Sequence, residues 1–260
     1  MPDVRPLLLI PSYNTGPILL ETVTGALALR TPLWVVIDGS TDGSPELIRH
    51  LESAANPGFK ILWLEKNSGK GAAVLHGLEA AIAEGFTHVL TMDADGQHPA
   101  DRVTGFFKWS AAHPEAAVFG SPIFDDSAPA LRVNGRKLSN FWASLETLGW
   151  GIDDSLFGMR LYPALPLLES LNGTSYARRF DFDPEVAVRL AWSGVPIINL
   201  PTPVRYIPVE EGGVSQFRYL RDNVLLTWMH LRLVAGFLVR LPVLLLRDDN
   251  PLHHHSPPQR

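Results

Sequence analysis

The sequence predicts an α/β fold with a Rossmann-like, mostly parallel sheet and helices on both faces, followed by a C-terminal helical segment. Two observations carry this. Short apolar runs alternate with stretches of helical period about 10–15 residues long. Each of the first four apolar runs also ends in a cluster of polar residues, where ligands gather on such sheets. The first strand is Leu7–Ile10, ending at Pro11-Ser12-Tyr13-Asn14, and a helix follows from about Pro17 to Leu29. The second strand, Leu33–Ile37, stops at Asp38-Gly39-Ser40. Ser44 is the expected N-cap of the next helix, with Pro45 at its first position and an end near Ala54. Lys60–Leu64 is the third strand, Gly71–Glu84 the next helix, and Thr87–Met92 the fourth strand, which runs into Asp93-Ala94-Asp95. Regular alternation fades after about residue 120. Residues 1–120 are therefore expected to form a nucleotide half and 121–222 an acceptor half of one domain.

The chain has 260 residues, enough for one large α/β domain. Its net charge of −5 and lack of a basic block argue against nucleic acid as a partner. With no cysteine, disulfides, thiolate zinc sites and a thiol nucleophile are excluded. The apolar start at Leu7 is too short for a signal peptide and meets Pro11, so it is a buried strand.

Asp93 and Asp95 are the centre of the expected active site. Cleaving a sugar–phosphate bond leaves a diphosphate with added negative charge, which a divalent cation neutralises. Mg2+ or Mn2+ takes hard oxygen ligands. Two aspartates one residue apart at a turning strand end can both reach such an ion, and Gln97 and His98 follow within reach. Alone, such a pair is common in solvated turns; its place after the buried run Val89–Met92 is what gives it weight. Asn67-Ser68-Gly69-Lys70-Gly71 opens a helix and suits a phosphate, with Lys70 adding charge, though a plain helix-opening turn has the same look. It lacks the spacing of a Walker loop.

Taken together, Ile10–Asn14, Val36–Asp42, Asn67–Gly71 and Met92–Pro99 resemble the family 2 glycosyltransferases of the GT-A fold, over about residues 7–222. The last segment is most like the dolichyl- and polyprenyl-phosphate sugar transferases. Gly120–Asp125, Asp154–Tyr162, Arg179–Asp183 and Gly212–Phe217 resemble a bacterial group found with aryl-polyene pigment genes. The resemblance implies a UDP- or GDP-sugar donor and a lipid or lipid-linked acceptor. It places Pro11, Tyr13, Asn14, Asp38 and Lys70 near the nucleotide. It gives Asp93 and Asp95 the metal and diphosphate, with Gln97 assisting, and makes Asp95 part of the catalytic set. The chain departs from the family at Ile37, where an aspartate is usual, and at Glu210-Glu211-Gly212, where phosphate-acceptor relatives carry an arginine; Arg218 and Arg221 are candidates to replace it.

Inverting transfer to a hydroxyl needs a general base, whereas transfer to a phosphate does not. In Arg178–Glu185, Asp181 is the expected base and Asp183 the expected helix cap. Gly158 and Arg160 are expected to shape the acceptor side, with a structural ion pair as the other role open to Arg160. Residues 223–247 are expected to form an amphipathic helix at the cytoplasmic face of the inner membrane, with its arginines at the headgroups and Trp228, Leu231 and Phe237 in lipid. Packing on the protein's own core is the alternative. Residues 248–260 are expected to be a disordered tail. Three other functions compete with lipid glycosylation: polyprenyl-phosphate sugar synthesis, nucleotidyl transfer and nucleotide-sugar binding without catalysis.

Overall fold

The computed structural model describes residues 3–124, 130–205 and 218–252. Asp125, Glu210, Glu211, the Gly212–Phe217 segment and the histidines after Leu252 lie outside the described residues.

The first four strands fall where the apolar runs place them. They are β1 (Pro6–Ser12), β2 (Leu33–Asp38), β3 (Phe59–Leu64) and β4 (His88–Thr91). Between them lie α1 (Ile18–Leu27), α2 (Ser44–Arg49) and α3 (Lys70–Ala83). The helix α2 is shorter than expected, and Gly43, in the left-handed region at φ 78°, takes the N-cap position instead of Ser44. Asp42 supplies the local bond, its Oδ1 accepting from the Ser44 backbone N–H and hydroxyl.

The second half adds α4 (Val103–Ala112), β5 (Ala117–Ile123), α5 (Ala130–Thr147), β6 (Arg160–Pro163), α6 (Ala164–Asn172), α7 (Phe182–Trp192), β7 (Ile197–Pro203) and α8 (Tyr219–Leu244). The strands form one seven-stranded sheet in the order β3-β2-β1-β4-β6-β5-β7. All neighbours pair in parallel except β6, which is antiparallel to both β4 and β5. The expected mostly parallel sheet is therefore observed, with one reversed strand.

Period-2 alternation sorts the strand side chains to two cores. Leu7, Leu9, Trp34 and Val36 pack against α3, α6 and α7, and Leu8, Ile10, Val35 and Ile37 pack against α1, α2 and α4. Both faces are covered, which explains why β1 and β2 read as continuous apolar runs. Gly77 on α3 lets that helix press onto β1: a Cβ there would lie 2.6 Å from Leu9.

The helix α8 is not sorted as the sequence suggested. Trp228 and Leu231 are exposed as expected, but Phe237 is buried. The arginines turn toward the protein. Arg232 bonds Glu185 at 2.9 Å and lies 3.5 Å over the Tyr176 ring, and Arg240 stacks on Trp192. Met229 and Leu233 join Ala143 and Val188 in a small core. The outward face keeps Leu220, Val224, Trp228, Leu231, Leu238 and Val243. The expected tail is anchored at its start: Asn250 is buried and donates to the carbonyls of Trp150 and Ile197, and Leu252 packs with Ala116 and Ile198.

Leu9 is fully buried at the centre of the sheet. Leu9→Ala is expected to lower unfolding free energy by about 2–5 kcal/mol, through lost burial and the cavity left behind, as checked by urea denaturation.

Candidate active site

The strand order places β2 and β4 on opposite sides of β1, so a crevice opens beyond the carboxyl ends of these strands. A cleft of ≈ 1060 Å³ occupies it. Pro11, Tyr13, Asp38, Lys70, Asp93, Asp95 and Gln97 all line this cleft. Asn14 does not. It sits at φ 45° and ties two loops together, its N–H donating to Ser40 Oγ and its Oδ1 accepting from the Thr41 N–H.

Asp38 is buried, and its two oxygens accept from the backbone N–H groups of Ser68 and Gly69, each at 2.7 Å. The carboxylate thus fixes the loop that opens α3. Gly69 sits at φ 100°, and a Cβ there would lie 2.3 Å from the Arg178 carbonyl. Close backbone approach, as well as turn geometry, therefore requires glycine. The loop brings Lys70, the first residue of α3, between two carboxylates: its Nζ is 2.7 Å from Asp93 and 2.6 Å from Asp183.

Burial opposes both charges, yet they reinforce each other. The Lys70 ammonium is held well above its ordinary range by Asp183 and Asp93. Asp93 is held far below the usual carboxylate range by Lys70, with His98 Nε2 3.2 Å from its other oxygen. Asp95 goes the other way, raised by burial and then by the charge of Asp93. Its Oδ1 accepts the Gln97 backbone N–H, and Gln97 contributes to the turn through its main chain. A Cβ on Gly158 would lie 2.1 Å from Asp93 Oδ2, so this glycine leaves the space the carboxylate fills. Gly158 therefore backs the strand-end aspartates instead of the acceptor side.

The two downstream aspartates exchange their expected places. Asp181 is buried, accepts the backbone N–H groups of Ala177 and Arg179, and does not line the cleft. It stands at the N-cap position of α7, in helical conformation. Asp183 lines the cleft, bonds Lys70, and has its second oxygen buried without a partner. Burial raises its carboxyl, against the opposing charges of Lys70 and Arg160. The reason is conformational: two aspartates two apart share a face in an extended chain but point about 200° apart on a helix. Arg160 is fully buried and donates to the main-chain carbonyls of Asp183 and Asp154.

Beyond the aspartates the cleft changes character. Arg136, Leu138, Ser139 and Trp142 of α5 line one side, and Leu226, His230, Leu231 and Val234 of α8 another, with Arg218 and Arg221 near the start of α8. Arg136 pairs with Asp154 at 2.7 Å, and Arg221 with Asp222 at 3.0 Å. Sequence reasoning missed Arg136 and the α5 wall, because neither stands in a motif; helix packing brings them there.

The residues fit a divalent cation in the usual manner of a substrate-bound ion. Among the described residues, no cluster of three or more His, Cys, Asp and Glu could hold a metal by itself. Asp93 and Asp95 are adjacent hard-oxygen carboxylates whose mutual repulsion a dication relieves. Mg2+ is commonly held by one or two carboxylates plus substrate phosphates.

Comparison with known proteins gives the family and the fold. Over 207 residues the chain is 26% identical to polyprenol monophosphomannose synthase of Mycolicibacterium smegmatis, covering 77% of each chain. It is 24% identical over 213 residues to the undecaprenyl-phosphate mannosyltransferase of Micrococcus luteus, covering 76% of this chain and 82% of that one. Among solved structures, a Pyrobaculum calidifontis mannosyltransferase in complex with GDP-Man and Mn2+ superposes with a TM-score of 0.57 at 21% identity, over 96% of this chain and 68% of that one. The S. aureus TarS complex with UDP-GlcNAc gives 0.53 at 16% identity, over 82% of this chain and 62% of that one. Both likenesses show a shared GT-A-like fold. The pattern described as glycosyl transferase family 2 matches residues 8–162, more than half of the chain, which therefore belongs to that family and is a glycosyltransferase.

Proposed function

We propose that this enzyme moves a sugar, with inversion, from a nucleotide-sugar donor to a membrane lipid, using Mg2+ or Mn2+. One observation carries the reading: a single cleft joins the polar strand ends to an apolar arm between α5 and α8. The donor's nucleotide lies over Pro11, Tyr13 and Asp38. Its diphosphate lies at Asp93 and Asp95, and Lys70 adds a positive charge there. A cation bound at the two aspartates neutralises charge on the departing diphosphate. The acceptor's chain lies in the apolar arm. UDP- and GDP-sugars are the donor classes proposed, and the relatives' names support a polyprenyl-type acceptor.

Two headgroup chemistries fit the acceptor end. Asp183 has a buried oxygen without a partner, suited to take a proton from a hydroxyl. Arg136, Arg218 and Arg221 line the cleft, and their positive charge favours a lipid phosphate, which needs no base.

The outward apolar face of α8 supports a peripheral contact with the cytoplasmic face of the inner membrane. By length and composition the helix could also cross a bilayer. Arg232 and Arg240 are engaged by the protein, so the face left over is apolar. A second exposed apolar stripe runs along α5 at Leu138, Phe141 and Leu145, with Leu148 just past its end.

Four outcomes test this reading. Incubated with UDP-, GDP- and TDP-sugars and Mn2+, the enzyme should slowly hydrolyse one donor class, and EDTA should abolish it; no hydrolysis of any donor would sink the reading. Asp183→Asn should lower kcat at least about 100-fold with a hydroxyl acceptor and less than about 10-fold with a lipid phosphate. Asp181→Asn should instead reduce stability by roughly 1–3 kcal/mol while kcat stays within a few fold, because it loses backbone bonds only. Full-length protein should pellet with anionic phospholipid vesicles, and Leu231→Glu with Leu238→Glu should leave it in the supernatant; equal pelleting of both proteins would remove the membrane contact.

A further inference from the structure

A buried polar chain lies between α5 and α8, apart from the strand-end aspartates. Glu146 is fully buried, and Ser139 and His230 are nearly so. The latter two line the apolar arm beside Trp142. Glu146 Oε1 is 2.9 Å from His230 Nδ1, and His230 Nε2 is 3.2 Å from Ser139 Oγ. Ser139 Oγ is 3.0 Å from Ser155 Oγ, which is 2.8 Å from Asn140 Oδ1.

Carboxylate, imidazole and hydroxyl are connected here as in an activated serine, but the protons run the opposite way. The Asn140 amide nitrogen faces two acceptors, the Asp153 carbonyl and the Asp154 carboxylate. Its Oδ1 therefore faces Ser155 and accepts from that residue's N–H and hydroxyl. The single hydroxyl proton of Ser155 is thereby used. Ser139 must donate to Ser155, and its proton is used in turn. His230 Nε2 must then carry a proton and donate to Ser139. A serine nucleophile needs that nitrogen as an acceptor, so Ser139 is not one. The bond between His230 Nδ1 and Glu146 requires one more proton. It is held either as imidazolium and carboxylate or as neutral imidazole and carboxylic acid.

We propose that this shared proton makes Glu146 and His230 a clasp that fixes α8 on α5 and so shapes the apolar arm for the acceptor's lipid chain. The clasp rests on the reading of that arm given above, and its members are positioning residues. When the proton leaves, Ser139 can satisfy His230 only by abandoning Ser155, and one hydrogen bond of the chain is lost. Few other charges face the pair. Glu185 on α7 adds like charge against Glu146 and is itself bonded by Arg189 and Arg232. Arg247 donates to the Thr147 carbonyl, next to Glu146, and its guanidinium lies 3.7 Å over Trp150. Burial raises the Glu146 carboxyl, against the bond and charge of His230, and its Oε2 has no partner. A carboxyl raised on folding contributes stability that is present at low pH and lost as pH rises through its folded value.

Glu146→Gln separates the clasp from mere packing. The glutamine amide donates to Nδ1 and leaves Nε2–H in place, with no shared proton to lose. Binding of farnesyl phosphate in detergent solution would be measured from about pH 4.5, the ordinary carboxyl value, up to about pH 9.5, together with thermal unfolding. Wild-type Kd should rise about fivefold across that range, as expected for one lost hydrogen bond, and its Tm should fall relative to the variant. The E146Q Kd should stay flat, and both proteins should bind the nucleotide equally. Should E146Q not fold, His230→Asn keeps a donor toward Glu146 and should bind weakly at every pH. Binding with parallel pH profiles in both proteins would overturn the clasp alone. Absence of binding at any pH would overturn the reading of the arm, and with it the role of the clasp there.

Discussion

The Lys70 ammonium lies 2.7 Å from Asp93 and 2.6 Å from Asp183, and the site is organised around that double ion pair. Lys70 opens α3, Asp93 follows β4 and Asp183 lies in the first turn of α7. Three elements from distant parts of the chain thus meet at one charge. A buried ammonium or carboxylate left alone would carry a desolvation penalty of several kcal/mol. Pairing removes most of that penalty and obliges the three elements to keep their relative positions. Asp38 extends the constraint, because its hydrogen bonds to Ser68 and Gly69 hold the loop that presents Lys70. Asp93 and Asp183 are therefore coupled through one lysine.

The same sorting of charge governs α8. A helix with arginines in an apolar run is ambiguous between membrane and core. In the structure both central arginines have protein partners. Arg232 reaches Glu185, which already bonds Arg189, and lies over Tyr176; Arg240 lies over Trp192. Long side chains on the flank of a helix can reach inward while their neighbours point out. The remaining face is apolar because the charges have been drawn off it.

The sheet and its donor side were legible because their signals are local. Continuous apolar runs marked β1 and β2, and the polar clusters that followed them fell beside one another once the strands paired in parallel. The acceptor side was less legible. Asp181 was expected as the base and Asp183 as the helix cap, but Asp181 stands at the N-cap position of α7, and Asp183, in the first turn, is the one that lines the cleft. Arg136 and the walls of the apolar arm carry no motif, and only the packing of α5 on α8 brings them to the cleft. Phe237 was misplaced for a similar reason, since an apolar side chain on a helix of this composition suits either face until its neighbours are known.

The one reversed strand explains how the second half of the chain reaches Asp93. Because β6 runs antiparallel to β4, it begins at the end where β4 finishes. Thr91 at the end of β4 pairs with Arg160 at the start of β6. The residues just before β6 therefore arrive at the turn that follows β4, and Gly158 sits against the Asp93 carboxylate. Arg160, next in from that end, projects into the space beneath α7 and holds the main chain at Asp183 and Asp154. A parallel strand in that position would have begun at the far edge of the sheet, and neither contact would form. The reversal also sets Ser155 and Asp154, in the approach to β6, beside α5, where Ser155 joins the chain that ends at Glu146. One change of strand direction thus connects Asp93, Asp183 and the Glu146–His230 pair.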